Sequence, residues 1–170
     1  MAGYVWEIPW AQALTGMART ILAGWQAGGI ITLQSGSPFS ITQSGDSQNV
    51  EFSTWSRPHL LPVTAELSNP DPAAWFNITA FSRSVGVYGT SPRNPLVGPG
   101  LSTFDLSVSK AFPMPFDKSH ELLFRTEFFN AFNSPQFANP GGVLGTGTFG
   151  RVTGTRADNR QIQFALKYTF

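Results

Sequence analysis

Apolar and polar residues alternate along this chain with a period of two in several separate segments. Successive side chains of a β-strand point to opposite faces of a sheet, so this period predicts strands. Each predicted strand has one mainly apolar and one mainly polar face. The segments are residues 2–8, 23–35, 101–112, 121–132 and 160–170.

The last of these segments shows the alternation most regularly. Its eleven residues, at roughly 3.3 Å each and tilted by about 40°, rise roughly 28 Å, which matches the apolar band of about 25 Å around outer-membrane barrels. Gln163 and Lys167 fall on its polar face. Its other face carries Ile162, Phe164, Leu166, Tyr168 and Phe170. The segment therefore has the length and the two-faced pattern of a membrane-crossing strand.

Segments 101–112 and 121–132 are separated by a short connection that contains Pro113 and Pro115. Proline fixes φ and has no N–H to offer to a ladder, so this connection reads as a turn. We therefore expect the two segments to form an antiparallel hairpin that is centred near Phe116.

Three charged residues, Asp105, Arg125 and Glu127, fall on the polar faces of this hairpin. The expected register places Asp105 across from Glu127 or one step off, with Arg125 within diagonal reach of both carboxylates. In a barrel these charges would face the lumen. We favour a cross-strand ion pair that fixes the register over a substrate site.

The connections between the predicted strands alternate in length. Residues 9–22 and 113–120 form short turns, whereas residues 36–100 and 133–159 are long and rich in Gly, Pro, Ser and Asn. Outer-membrane barrels have short periplasmic turns and longer extracellular loops, so the order predicts that both long segments lie outside the cell. Residues 69–76 place a cap residue and a proline before two alanines, which predicts one short helix.

The composition indicates apolar surroundings. The chain is 14% aromatic and 12% charged, against roughly 25% charged in typical soluble domains. It has no run of about 18 apolar residues, which excludes a transmembrane helix. The formal net charge is +1 and the basic residues are scattered singly, so we expect no nucleic-acid partner. The absence of cysteine excludes disulfides, thiolate chemistry and Cys-ligated zinc.

A few local motifs imitate catalytic or binding sites. Residues 145–150 spell G-x-G-x-x-G, but they lack the preceding strand and following helix of a dinucleotide site, so we interpret them as a loop. His59 and His120 have no partner at metal-ligand spacing and are expected to be solvated. The glycosylation sequon at Asn77 is attributed to chance. We predict no enzyme activity and no catalytic, cofactor or metal site.

Four blocks of the sequence carry a resemblance to a known family. The chain resembles the C-terminal barrel region of TonB-dependent outer-membrane receptors, particularly the Oar-like group. The residues that carry it are Gly24–Gln26 with Leu33–Phe39; Arg93, Asn94, Gly98–Gly100, Asp105–Ser107, Lys110 and Phe112; Leu123–Asn133 with Pro135 and Phe137; and Phe149–Thr153 with Arg160–Lys167 and Phe170.

This resemblance implies an all-β fold, a fragment of an antiparallel transmembrane β-barrel, and a role as barrel wall of a nutrient-uptake protein. It implies outer-membrane lipid and the barrel-assembly machinery as partners, with TonB engaged through a plug domain in the lumen. It also implies that the assembly machinery reads the last strand, at Phe164, Leu166, Tyr168 and Phe170.

The resemblance further implies a signal peptide, a plug and additional strands, none of which is recognisable in residues 1–170. Five strands cannot close a membrane barrel, for which eight is the smallest single-chain number, and an open sheet in lipid would leave backbone groups unpaired. We therefore expect residues 1–170 to be one partial barrel domain that begins at a truncated start, Met1, and that lacks the N-terminal barrel and plug of its parent.

A soluble β-sandwich that binds carbohydrate is the alternative hypothesis, with Trp55 and Trp75 as stacking platforms. We favour the barrel because connections beyond about 15 residues are uncommon in compact soluble domains. A secreted hydrolase ranks last, since no nucleophile, base and orienting group converge in the sequence.

Overall fold

The computed structural model describes the whole chain except residues 46, 48, 50–54, 115, 117 and 118. This described part contains fourteen strands, one α-helix and one 3-10 helix. In chain order they are β1 (Ala2–Glu7), α1 (Gly16–Leu22), β2 (Trp25–Gln34), β3 (Pro38–Phe39), β4 (Thr42–Ser44), β5 (Trp55–Ser56), β6 (His59–Leu60), β7 (Glu66–Asp71), β8 (Ala74–Phe76), the 3-10 helix (Ile78–Ala80), β9 (Phe81–Ser82), β10 (Leu96–Val97), β11 (Leu101–Pro113), β12 (Glu121–Phe129), β13 (Val143–Leu144) and β14 (Gln161–Thr169).

Five long strands form one sheet in the order β1-β2-β11-β12-β14, with β1 and β14 at its edges. The sheet lies in a unit of residues 1–33, 102–135 and 158–170, which we call the wall unit. Each of its strands coincides with one of the five segments of period two, to within three residues at either end. The sheet is not closed into a barrel, and the predicted all-β fold class is confirmed.

The register of the wall sheet is regular around β12. Thr126 lies opposite Val108 of β11 on one side and opposite Phe164 of β14 on the other, and both pairings are antiparallel. The hairpin of β11 and β12 predicted from the sequence is thus formed. Pro115, which contributed to the predicted turn, lies outside the described residues.

The two long connections fold into a second unit of residues 34–101 and 136–157, which we call the loop unit. Its short strands pair as β10-β3, β13-β4-β5, β6-β9 and β7-β8. A core of buried apolar side chains lies among them, formed by Ile41, Phe76, Ala80, Phe81 and Leu96. The rings of Phe76, Phe81 and Phe149 pack edge to face at centroid distances of 5.1 to 6.2 Å. The segments expected as irregular loops therefore have a hydrophobic core of their own.

A buried glutamine joins three segments of the loop unit. Gln43 is fully buried, and its Nε2 donates to Ser56 Oγ at 3.1 Å and to the Oγ and carbonyl of Ser84 at 2.9 Å each. Its Oε1 accepts the backbone N–H of Ser84 at 3.0 Å. Every hydrogen-bonding group of this amide is used or shared, which is the condition under which a buried polar residue stabilises a fold.

The helix predicted at residues 69–76 is wrong. β7 and β8 form an antiparallel hairpin there, and Asp71 Oδ1 accepts the backbone N–H of Ala73 at 2.8 Å in the turn between them. A short carboxylate that bonds the backbone two residues on favours a turn over a helix. The hairpin also delivers Phe76 to the core, where it is 2% exposed.

Helices occur elsewhere, in the short connection at α1 and at the 3-10 helix. Asn77 Oδ1 accepts the N–H of Thr79 at 3.1 Å and its hydroxyl at 2.7 Å, so the sequon residues cap the 3-10 helix. Within the described ranges, no helix has the length and apolarity that a membrane crossing requires. A short strand, β13, does precede residues 145–150, so that part of the expectation is wrong. They nevertheless form a turn, in which Thr146 Oγ1 donates to the Val143 carbonyl at 2.8 Å, and no helix follows among residues 151–157.

One glycine of the loop unit is predicted to be indispensable for its packing. A Cβ atom on Gly36 would lie 1.7 Å from the carbonyl oxygen of Gly98, and backbone cannot yield as a flexible side chain can. We expect Gly36→Ala to destabilise the loop unit by about 3 kcal/mol, the upper range for overpacking. Hydrogen exchange of loop-unit amides measures this, with wall-unit amides as an internal reference.

Gly147→Ala is the matched control, since a Cβ there meets no heavy atom within 4 Å. Equal exchange in the two variants would refute the prediction.

Candidate functional site

The wall sheet has two chemically different faces, because ladder partners share a face and successive residues alternate. What we call the apolar face carries the even-numbered side chains of the paired parts of β11, β12 and β14, which are Leu106, Val108, Lys110, Phe112, Leu122, Phe124, Thr126, Phe128, Ile162, Phe164, Leu166 and Tyr168. The polar face carries the odd-numbered ones, which include Asp105, Ser107, Ser109, Arg125, Glu127, Gln163 and Lys167.

The apolar face is open to its surroundings along β14. Phe164 and Leu166 are each 69% exposed, Tyr168 is 47% exposed and Phe170 is 88% exposed. Large contiguous apolar patches are rare on soluble proteins and mark contact with another protein or with a membrane. The four side chains that the resemblance assigns to assembly are thus accessible on an edge strand, with Phe170 just beyond its end.

Aromatic rings cluster on the apolar face around one cation. Trp25 packs edge-on against Phe112 and Phe124 at centroid distances of 6.5 and 6.1 Å. Lys110 Nζ lies 5.7 Å from the Trp25 ring and 5.0 Å from the Phe112 ring, within cation–π range. It also donates to the carbonyls of Ile21 and Ala23.

The sequence analysis missed the role of this lysine. Lys110 is only 4% exposed, although lysine is rarely buried. It occupies an even position at which the alternation of β11 requires an apolar residue, and this break in the pattern was the available signal.

The end of the terminal strand packs against the turn before β12. His120 Nδ1 and Tyr168 Oη are 2.5 Å apart, and the His120 ring stacks on Phe170 at 6.5 Å with an interplanar angle of 24°. The ring of Phe116 lies 5.4 Å from His120. The expectation that His120 is solvated is therefore wrong, because the antiparallel ladder brings the end of β14 beside the start of β12. His59, expected in a loop, is half-buried in β6.

The charged trio does not form the predicted network. Arg125 Nη2 lies 2.5 Å from Glu127 Oε1, on the same strand and the same face. The ladder places Ser107 opposite Glu127 and Ser109 opposite Arg125. Asp105 therefore lies two residues along β11 from Ser107, the partner of Glu127. It lies four residues, about 13 Å, from Ser109, the partner of Arg125. The prediction that Arg125 reaches both carboxylates is wrong.

Asp105 instead accepts a hydrogen bond from the backbone just after the end of β12. Its Oδ1 accepts the N–H of Asn130 at 2.9 Å. Asn130 has a φ of 50°, in the left-handed region that asparagine tolerates, and this ends β12 three residues before the predicted limit. The Asn130 side chain accepts from Ser134 N at 3.0 Å and donates to the carbonyls of Ser134 and Asp158 at 2.9 and 3.3 Å.

A concavity of about 420 Å³ opens on the wall sheet, and its lining includes Gly28, Asp105, Ser107, Arg125 and Glu127. Gly28 contributes no side chain, and a Cβ atom there would come within 3.2 Å of Ser107 Oγ. The concavity offers the ion pair of Arg125 with Glu127, the Asp105 carboxylate and the hydroxyls of Tyr4 and Ser107, which can bind polar groups. Among the described residues, no three His, Asp or Glu side chains are placed to hold a metal ion.

These contacts predict different costs for two substitutions on the same face. Asp105→Ala leaves the Asn130 N–H without its acceptor and should cost about 1–3 kcal/mol of unfolding free energy. Arg125→Ala should cost less than about 1 kcal/mol, because the Arg125 side chain is 52% exposed and its ion pair is screened by water. Urea unfolding of the folded full-length protein in detergent measures both. Asp105→Asn, which keeps an oxygen acceptor, is the control, and equal costs for Asp105→Ala and Arg125→Ala would contradict the assignment.

A family model described as outer membrane beta barrel domain matches residues 1–163, from β1 into the start of β14. No curated protein and no solved structure matches the chain significantly. The matched range includes nearly the whole two-faced sheet and all of the loop unit. The chain therefore belongs to the outer membrane beta barrel domain family.

Proposed function

We propose that this chain is the C-terminal part of the barrel wall of a TonB-dependent receptor of the Oar-like group, which takes up a bulky nutrient across a bacterial outer membrane. The family implies an outer-membrane location. The four sequence blocks that resemble the C-terminal region of these receptors support the finer assignment. The observation that carries the proposal is the wall sheet, which has one exposed apolar face and one polar face.

The apolar face fits hydrocarbon. Moving a fully exposed Phe or Leu side chain from water into an apolar environment gains about 2 kcal/mol, and Phe164 and Leu166 are largely exposed. If the sheet were turned over, Arg125 and Glu127 would face hydrocarbon and would lose the water that solvates their charges. We therefore assign the apolar face to lipid, and the polar face with Asp105, Arg125 and Glu127 to the lumen.

The two edges of the sheet support a larger barrel. β1 pairs only with β2, and β14 pairs only with β12, among the strands that the structure describes. An unpaired backbone group in hydrocarbon costs several kcal/mol, and barrels avoid this by closing. In the proposal, further strands of the parent chain pair with β1 and β14. Its plug fills the lumen and contacts TonB.

The connections support an orientation for the strands. The short ones, residues 9–22 and 113–120, suit periplasmic turns, and the two segments of the loop unit suit extracellular loops. We assign the loop unit, with its own core, to the outer surface, where loops of such receptors meet the nutrient. The family match does not favour a soluble carbohydrate-binding module. One of its two predicted platforms, Trp75, is half-buried and donates from Nε1 to the Val97 carbonyl at 2.9 Å.

The first test is the location and folding of the full-length protein. We expect it to sediment with outer membranes and to run faster on gels when unheated than when boiled, because a closed barrel resists detergent until heated. Recovery in the soluble fraction, with glycan binding in the absence of detergent, would instead support the carbohydrate-binding module.

The second test addresses the barrel-assembly machinery as a partner. We expect Phe170→Ala in the full-length protein to lower the amount of heat-modifiable barrel several-fold, since it removes the terminal aromatic ring that the machinery is proposed to read. Tyr168→Phe keeps the ring and loses the contact with His120 Nδ1, so it separates recognition of the ring from that hydrogen bond. We expect its barrel yield to stay near that of the parent.

Thr169→Ala is the matched control on the polar face of the same strand. A loss of barrel with Thr169→Ala as large as with Phe170→Ala would show that these aromatic side chains are not what is read.

A further inference from the structure

We propose that α1, together with Trp10 and Leu14 before it, lies in the headgroup layer of the bilayer at the turn end of the wall sheet. Its apolar side would enter the acyl chains, and Arg19 would meet lipid phosphate. The inference rests on the proposed function, because it takes the apolar face of the sheet as the lipid-facing one.

The first observation is that the helix buries nothing. None of its seven residues is buried. Met17 is 79% exposed, Ile21 and Leu22 are each 51% exposed, and the preceding Trp10 is 67% exposed. A helix this short is marginal in water unless its apolar side packs against something. These side chains therefore need an apolar environment that the described residues do not supply.

The second observation is where the helix is attached. The carbonyl of Ile21 accepts from Trp25 Nε1 at 3.0 Å and from Lys110 Nζ at 3.2 Å, and Lys110 also donates to the carbonyl of Ala23. Trp25 packs against Phe112 and Phe124, which stand on the apolar face, and Lys110 stands there itself. The C-terminal end of α1 is thus fixed to the face that we assign to lipid, with the cation where the helix dipole favours it.

The third observation is the distribution of residues around the helix. Met17 and Ile21 are four residues apart and share one side of the helix, whereas Arg19 falls on the opposite side. Arg19, Thr20 and Lys110 help to line a concavity of about 520 Å³, to which no acidic residue contributes. Arg19 forms no ion pair with any residue that the structure describes.

Lipid is the occupant that satisfies all three observations. The C-terminal end of α1 is fixed to the apolar face of the sheet, its apolar side chains are exposed, and an arginine without a counter-ion complements phosphate. Tryptophan is enriched at membrane interfaces, and amphipathic helices with basic polar sides lie in this layer. A protein partner would need to offer both an apolar groove and an anion. The test below distinguishes such a partner from lipid.

Depth-dependent quenching of fluorescence tests the position of α1. The 170 residues contain no cysteine, so single cysteines can carry the fluorophore in a full-length protein freed of any other cysteine. We would label Met17→Cys, Ile21→Cys and Phe164→Cys, and reconstitute each into phosphatidylcholine vesicles containing phosphatidylglycerol. Spin-labelled lipids quench at either a shallow or a mid-acyl depth, and iodide quenches from water. Heat-modifiable migration establishes that each variant is folded.

We expect the Met17 and Ile21 sites to be quenched most by the shallow spin label, as for a helix lying in the interface. We expect the Phe164 site to be quenched most by the mid-acyl label. Quenching of the Met17 and Ile21 sites by iodide alone would overturn the inference. Protection of both sites from every quencher would overturn it in favour of a protein cover.

The Phe164 site separates the two proposals. Lipid quenching at Phe164 without lipid quenching at Met17 would refute the position of α1 and leave the barrel intact. The absence of lipid quenching at Phe164 would refute the membrane-facing sheet, and the inference with it.

A separate experiment tests the contact between Arg19 and lipid phosphate. Adding phosphatidylglycerol to pure phosphatidylcholine vesicles should raise shallow quenching at the Met17 site in the parent and in Arg19→Lys, which keeps the charge. It should have little effect in Arg19→Gln. An equal rise in all three proteins would overturn the contact between Arg19 and phosphate.

Discussion

The register of β12 between its two neighbours is the constraint on which the wall unit depends. Thr126 stands between Val108 and Phe164, and this pairing aligns apolar side chains of three strands on one face. A slip of one residue along either ladder would move a whole strand to the opposite face and set Arg125 and Glu127 among phenylalanines. The ladder also pairs the backbone, which hydrocarbon would leave without any other partner. The grouping of apolar side chains on one face and the pairing of the backbone therefore specify the same arrangement. Of the five strands in this sheet, only β1 and β14 have an unpaired edge.

The loop unit has a different constraint. Its segments are rich in Gly, Pro and Ser, so few apolar side chains are available to form a core. It concentrates them in one core around Phe76 and Ile41. The amide of Gln43 then ties segments that are far apart in the chain through hydrogen bonds that are all internal. Close backbone contacts such as that of Gly36 with Gly98 are open only to glycine. The composition that suggested irregular loops is thus also one that permits tight packing of short strands.

How far the sequence predicts this structure depends on how local each feature is. Period two arises from the geometry of a single strand, so the five long strands and the face on which Arg125 falls could be read directly. The end of β12 depends on Asp105, a residue of another strand that holds the N–H of Asn130. The predicted helix at residues 69–76 failed because Asp71 closes a turn and Phe76 belongs to a core assembled from distant residues. The predicted contact of Arg125 with Glu127 is formed, whereas the one with Asp105 is not, because the register places Ser109 and not Asp105 opposite Arg125.

Lys110 shows how the apolar face can tolerate a cation near its end. A lysine among aromatic rings, away from water, requires acceptors for its ammonium group. Residues 9–24 supply them, because α1 ends where the carbonyls of Ile21 and Ala23 point at Nζ, and the Trp25 and Phe112 rings lie beside it. A two-residue hairpin between β1 and β2 would join the same strands but would offer no such carbonyls. The connection that contains the short helix therefore supplies the hydrogen-bond acceptors that the buried lysine requires.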